Sequence, residues 1–529
     1  MTEPPPVTVD YIAQRSPELV AVLDMGASAI RLVIGEMTPG EPIRTIEEAS
    51  RGVLLGRDTF SSGGVIRSKT TDSALAALDG FRQIIDSYGV THIRAVATSA
   101  VREARNVDLF LDRIQRRTGI AFEILDEAEE SRLVFLAVKQ TLRQRADLRD
   151  GWTLLTEVGG GSTSVTLLRK GQPNRSAVYA LGAVRLRQQL NLQNLVHDVQ
   201  ISLLKRSIAN VIDEIRNDYA LDRVTHMVAI GGDIRFAAAN ILEGDTGDGV
   251  RDLTRDRFLA FCDQIERMDE EMLTERFRLS AVEAATVVPS LLVYRRLLSE
   301  TTATKLAVSD ASLRTGLLLE VADPGGHVSV GDFEQQVLAS AEALGHKHRF
   351  DRAHGRHVAA LAVQLFDAFR QDHGLDQRER LLLQVAALLH DIGIYVSLRA
   401  HHKHSQYLLA ASQIFGLSNE ETAIVANIAR YHRRGLPQNS HLPYIALDRH
   451  DRLVVNKLAA ILRVANALDA ERLQKVTGLS LVRSGRSWIL EINGTGDLTM
   501  EQLAATARAD MFADTFGQEL IIRRARVQS

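Results

Sequence analysis

The chain has 529 residues, too many for one hydrophobic core, so three or four domains are expected. Apolar residues make up 45% and the net charge is −3, which excludes a global basic field and disfavours nucleic acid as a partner. The single cysteine, Cys262, excludes an intrachain disulfide, and no run reaches the ~20 apolar residues of a membrane span. Residues 1–18 carry four prolines and charges but no apolar leader, so a disordered tail and a cytoplasmic protein are expected.

Leu19–Gly35 reads as a hairpin: an apolar strand, the acid Asp24, a turn of Gly26, Ala27, Ser28 and Ala29, and a strand over Ile30–Ile34. Ile43–Val53 is a further strand, Ser68–Tyr88 has helical spacing, and Ile93–Ala97 is a short strand. Thr98 and Ser99 then sit where a helix begins, with hydroxyls and free amides pointing one way. Arg102, one turn on, reaches the same anion or is a plain surface arginine. After a strand at Phe122–Leu125, Asp126 is an N-cap, and Glu127, Glu129 and Glu130 suit the helix dipole. One of these glutamates, held near a phosphate, would orient or deprotonate water, but periodicity does not decide which.

Trp152–Leu168 repeats the first hairpin: a strand, the acid Glu157, Gly159, Gly160 and Gly161, then Ser162, Thr163 and Ser164 and a second strand. Bare glycine amides with flanking hydroxyls close on an anion, and a carboxylate at the strand end holds Mg2+. Two such units about 130 residues apart suggest an internal duplication whose turns grip a phosphate chain from both sides. Val178–Leu186 reads as a strand turning into a helix. Thr225–Asp233 is a strand ending in a phosphate-sized loop at Gly231 and Gly232. Arg278–Leu298 is helical, and Ala322–His327 is a linker.

Of 16 histidines, 13 lie between His327 and His450, in a half that reads as helical to about Val476. Helices are expected over Glu334–Leu344, His354–Phe369, Arg378–His390, Ser405–Gly416, Asn419–Tyr431 and Arg452–Leu473. His390 and Asp391 end one of them, and His354 and His432 stand four residues from core positions of their own helices. With His401 they form a candidate site for Mn, Fe, Zn or Mg. Lys403, Arg430, Arg433 and Arg434 beside them form either a phosphate track or a solvated face. Leu479–Ser529 offers strands at Trp488–Ile492 and Glu519–Ile522 around a helix.

The motifs DMGASAIRL (Asp24–Leu32), ATSAVREA (Ala97–Ala104), EESRL (Glu129–Leu133), EVGGGST (Glu157–Thr163), LGAVRL (Leu181–Leu186) and IGGD (Ile230–Asp233) follow in order. Beyond the linker come HGRHVAALA (His354–Ala362), LLHDIG (Leu388–Gly393), HHKHS (His401–Ser405), ARYH (Ala429–His432) and RVANALD (Arg463–Asp469). Over nearly its full length the chain resembles the exopolyphosphatase and guanosine pentaphosphate phosphohydrolase family, with an HD-type helical domain appended. The resemblance implies an α/β fold: two actin-like, ribonuclease-H-like lobes (19–135 and 136–322), an all-α HD-like domain (328–476) and a small α/β segment (477–529). It implies a homodimer that removes terminal phosphate from polyphosphate or guanosine pentaphosphate with Mg2+. Glu130 is then the residue that activates water, Asp24 and Glu157 the Mg2+-side acids. The phosphate cradle is Gly26, Ser28, Thr98, Ser99, Arg102, Gly159, Gly160, Gly161, Ser162, Thr163, Gly231 and Gly232. His354, His390, Asp391, His401 and His432 form an HD-like site for a second divalent metal.

The chain departs from the family pattern where Ala27, Ala29 and Ser164 replace polar or acidic residues and Glu157 replaces aspartate. Glu283–Pro289 lacks the expected arginine and aspartate, and Asn466 stands for the last HD aspartate, with Asp469 one turn on as its substitute. Two other readings follow: an HD-type metal hydrolase with the lobes as sensor, or a non-catalytic binder of polyphosphate or a guanosine alarmone.

Overall fold

The computed structural model describes residues 18–38, 43–61, 63–192, 195–242, 249–322, 330–433, 435–485 and 487–525; nearly all of the expected tail and linker, and Arg434, fall outside them. The first sheet contains β1 (Glu18–Met25), β2 (Ala29–Met37), β3 (Arg44–Gly52), β4 (His92–Ala97) and β5 (Glu123–Ile124), in the order β3-β2-β1-β4-β5. The second contains β6 (Trp152–Val158), β7 (Thr163–Arg169), β8 (Gln172–Tyr179), β9 (His226–Ile230), β10 (Val250–Thr254) and β11 (Lys305–Ser309), in the order β10-β11-β9-β6-β7-β8. In each, an antiparallel three-strand meander is extended by parallel strands on the side of its first strand, and in the second sheet β10 closes that edge antiparallel to β11. The duplication holds to the residue. Asp24 pairs with Arg31 as Glu157 pairs with Ser164, and Gly26 N donates to Ala29 O as Gly159 N donates to Ser162 O.

The central strands are apolar on both faces because both faces are covered. Ala21, Leu23 and Met25 of β1 face an outer core, while Val20 and Val22 face an inner one. Leu155 of β6 and Val228 and Ile230 of β9 face the same inner core, with Leu133 and Val138 of helix Glu127–Gln144 and Leu317 of helix Leu313–Ala322 between the sheets. The expected divide at 135/136 falls inside the first of these helices, and the second returns to pack on β1.

The helical domain contains Val330–Lys347, Arg352–Ala368, Gln377–Leu389, His401–Ala410, Asn419–Arg430 and Arg449–Ala467. Capping boxes at Asp376/Glu379 and Ser418/Glu421 fix two of the helix starts. The expected helix at Ser405–Gly416 starts earlier, at His401, and stops at Ala410. A strand that the pattern did not suggest, β12 (Val476–Ser484), joins β13 (Ser487–Gly494) and β14 (Glu519–Arg524). Trp488 and Phe512 pack on Phe369 in one core with the helices, so the expected boundary at 476/477 separates no core. Phe415 reaches out of the helical domain and meets Phe135 edge-on at 5.6 Å. No single described helix is long and apolar enough to cross a membrane.

Candidate active site

The two hairpin turns meet tip to tip. A Cβ on Gly160 would lie 3.0 Å from the Ala27 methyl and 3.6 Å from Ser28 N, and one on Gly161 would run into Ser99 and Phe60. Only glycine allows this approach, and Ala27, a departure from the family pattern, is the small side chain opposite it. Arg185, from the LGAVRL motif, bonds the Gly161 carbonyl and Glu103 and stacks on Phe60 at 4.0 Å, tying the second lobe to the first.

A cleft of about 580 Å³ opens between the lobes, and Asp24, Gly26, Ser28, Thr98, Ser99, Glu130, Glu157, Gly159, Gly160, Gly161, Ser162, Gly231 and Gly232 all line it. Gly231 has φ 131°, a conformation that side chains disfavour, and it caps helix Gly232–Ile241, whose amides face the cleft. Tyr294 locks the floor by accepting from Val158 N and donating to the Ile230 carbonyl.

Glu130 sits in the first turn of its helix, with its N–H on Asp126 O. Its Oε2 lies 3.5 Å from Arg102 Nη1 yet accepts no hydrogen bond. Burial pushes its carboxyl up to about 7, Arg102 holding it down against Glu157 and Asp24. Burial and the Asp24 charge push Glu157 up to about 7 as well, against Arg235, Arg314 and Arg31. Asp233, also in the cleft, is raised to about 6 by burial.

Two expected cradle residues are corrected. Thr163 is fully buried and donates its hydroxyl to the Leu181 carbonyl, because its register partner in the first hairpin is the core residue Ile30. Arg102 does not line the cleft. It bonds the Leu125 carbonyl and pairs with Glu127 at 3.7 Å and with Glu130, so its guanidinium is engaged by the carboxylates of the neighbouring helix.

Three lining arginines were not foreseen. Arg31 and Arg314 stand 3.6 and 3.3 Å from Asp24, and burial together with the Arg314 charge lowers Arg235. Arg31 was readable, since any two-strand register through that turn sets it opposite Asp24. Glu283 and Thr286 line the cleft from helix Ala281–Ser299, where the family arginine is missing.

The histidine constellation also converges. His401 Nε2 and His432 Nε2 lie 3.0 and 3.4 Å from Asp391 Oδ1 and 3.2 Å from each other. His354 Nε2 and His390 Nε2 lie 3.9 and 3.6 Å from Asp391 Oδ2. Every Nδ1 is engaged with an acceptor: Asp469 for His354, Ala387 O for His390, Leu398 O for His401 and Ala429 O for His432. All four Nε2 atoms therefore present lone pairs inward. Burial holds His390 and His432 below the usual imidazole range. Burial opposes the Asp391 charge, yet the carboxyl is held below its ordinary range, with the Arg472 guanidinium among the groups that favour its charged form. Asp469 does not substitute for the missing ligand at Asn466. It stands behind His354, and its other oxygen accepts from Gln474 N at 2.8 Å. Lys403, Arg430 and Arg433 surround His402, and none of them lines the cleft.

Residues 33–324 match the Ppx/GppA phosphatase family, and residues 338–506 match Ppx/GppA phosphatase, domain III. The guanosine-5'-triphosphate,3'-diphosphate pyrophosphatase of Vibrio parahaemolyticus is 25% identical over 80% of this chain and 82% of its own. That of Pseudoalteromonas atlantica is 21% identical over 88% and 89%. An exopolyphosphatase structure from Cytophaga hutchinsonii superposes with a TM-score of 0.53 at 23% identity, over 58% of this chain and 98% of its own, which shows the same fold. With duplicated hairpins, an inter-lobe cleft and these matches over both halves, the chain belongs to the Ppx/GppA phosphatase family.

Proposed function

We propose that the chain hydrolyses the terminal phosphoanhydride of polyphosphate or guanosine pentaphosphate in the inter-lobe cleft. The observation that carries this reading is Glu130, a half-buried carboxyl raised to about 7 that lines the same cleft as the two opposed hairpin turns. The turn amides of Gly26 and Gly159–Gly161, with Ser28, Ser99 and Ser162, hold the phosphate oxygens, and Arg31, Arg235 and Arg314 neutralise their charge. Glu130 takes the proton of a water as its oxygen bonds to the terminal phosphorus and the bridging P–O bond breaks. The shortened chain leaves as the anion.

Asp24 and Glu157 would hold Mg2+. The fit is chemical: both are hard oxygen donors, and the Asp24 charge adds to burial in raising Glu157. Among the described residues the cleft has no three-ligand cluster, which suits an ion that keeps waters and takes phosphate oxygens. Bound there, Mg2+ supplies charge stabilisation to the phosphates. The homodimer rests on the resemblance.

The histidine centre is proposed as a second, HD-like site for a divalent transition metal, since the facing lone pairs of His401, His432 and Asp391 call for a cation between them. Phosphate release from long polyphosphate and from guanosine pentaphosphate, with Mg2+, tests the whole reading. Glu130→Gln is expected to lose it and His390→Ala to keep it. The reverse result moves the chemistry to the helical domain, and ligand-induced stabilisation without release makes the chain a binder.

A further inference from the structure

We propose that Arg472 and a divalent metal ion compete for Asp391, so that the histidine centre has an arginine-closed form and a metal-loaded form. Arg472 Nη2 bonds Asp391 Oδ2, the oxygen nearest His354 and His390, and Nη1 stands 3.4 Å from Asp351. The four imidazoles turn their Nδ1 protons away from Asp391, so the guanidinium is the cation that balances this carboxylate. His354 Nε2, His390 Nε2 and Asp391 Oδ1 are buried with no hydrogen-bond partner, as acceptors awaiting a cation would be.

The arm that delivers the guanidinium is held under strain. Arg472 and Gln474 have φ of 57° and 52°, left-handed values that non-glycine residues rarely take. Asp469 pins the loop by accepting from Gln474 N at 2.8 Å and Nε2 at 3.2 Å, and it orients His354 at 2.8 Å. The loop joins helix Arg449–Ala467 to β12, which starts at Val476. The Arg472 side chain is 38% exposed against 11% for Asp391, so it can swing into water without disturbing the buried ligands. A metal ion entering the lone-pair cluster takes the Asp391 charge, and the arginine is released.

The inference rests on the metal reading of this centre. Its test is Mn2+ and Zn2+ titration calorimetry on the full chain, with limited trypsin digestion read by mass spectrometry. R472Q is expected to bind Mn2+ about tenfold or more tightly than wild type, because a charge-assisted competitor is gone, and His390→Ala to lose binding. In wild type, saturating metal is expected to speed cleavage after Arg472, a readout that needs no variant. Equal Mn2+ affinity in wild type and R472Q, or cleavage after Arg472 unchanged by metal, overturns the exchange while leaving the metal site standing. No binding by either folded protein at millimolar metal overturns both, leaving Arg472 as a structural plug.

Discussion

The inter-lobe cleft and the histidine centre both gather carboxylates with cations, but they are built for opposite guests. The cleft is an open space of about 580 Å³ in which backbone amides and three arginines face outward-directed acids. The histidine centre is sealed, its four imidazoles 0–5% exposed, with nitrogen lone pairs directed at one carboxylate. Amides, arginines and hard oxygens suit a long polyanion with Mg2+, whereas converged imidazoles suit a single transition-metal ion. The placement of protons also distinguishes the two sites. In the cleft a carboxyl is poised to change protonation, while in the bundle every imidazole proton is already engaged.

The sharpest break between the two regions is Glu130→Gln. Removing a general base is expected to lower phosphate release by about 10³-fold while polyphosphate binding persists, measured by phosphate release and by titration. His390→Ala, in the other region, is expected to leave release within about twofold, since no histidine of the centre lines the cleft. Next in size is Gly161→Val. Its Cβ has no room against Ser99 and Phe60, so the hairpin tips must part, and a misplaced cradle is expected to cost about 10²-fold in kcat/KM.

What the sequence made legible was what depends on neighbours along the chain. Each hairpin's acid, turn and return strand lie within a few residues of one another, so both cradles and their duplication could be read directly. The Thr163 hydroxyl looks like a cradle donor in the sequence, although the equivalent position of the first hairpin, Ile30, identifies it as inward-facing. Arg102 was assigned to the anion because chain proximity to Thr98 and Ser99 says nothing about Glu130, which arrives on a different helix. Arg235 and Arg314 were missed because they reach Asp24 and Glu157 from elements far along the chain, a convergence that only the closed fold creates. Helical spacing makes Asp469 look like a substitute ligand, whereas the helix ends at Ala467 and the carboxylate lies behind His354.

The cleft's pH response sharpens the comparison further. With Glu130 raised to about 7, kcat/KM is expected to fall about tenfold per pH unit below that value. Arg102→Gln removes the charge that holds Glu130 down, so the acid limb is expected to move to higher pH. The same shift bears on stability. Glu130 and Glu157 both rise from 4.5 to about 7 on folding, so the folded chain keeps protons that the unfolded chain has released. Their stabilising contribution is full below 4.5 and is lost as pH rises through about 7. Melting curves of Glu130→Gln against wild type are therefore expected to diverge in the variant's favour from pH 5 to pH 8.

The smallest expected effect concerns a departure from the family pattern. Ser164 pairs directly with Glu157 across the hairpin, on the same face of the sheet, and stands where Arg31 stands in the first lobe. Ser164→Glu places a second carboxylate beside the Mg2+-side acid. Without metal, that like charge raises Glu157 further. With Mg2+ bound, it adds an oxygen donor. The variant is expected to need about two- to tenfold less Mg2+ for half-maximal release, and to lose more heat stability than wild type when Mg2+ is withdrawn at pH 8. An unchanged Mg2+ requirement would mean that the ion sits on the Asp24 side, where Arg31 and Arg314 must give way to it.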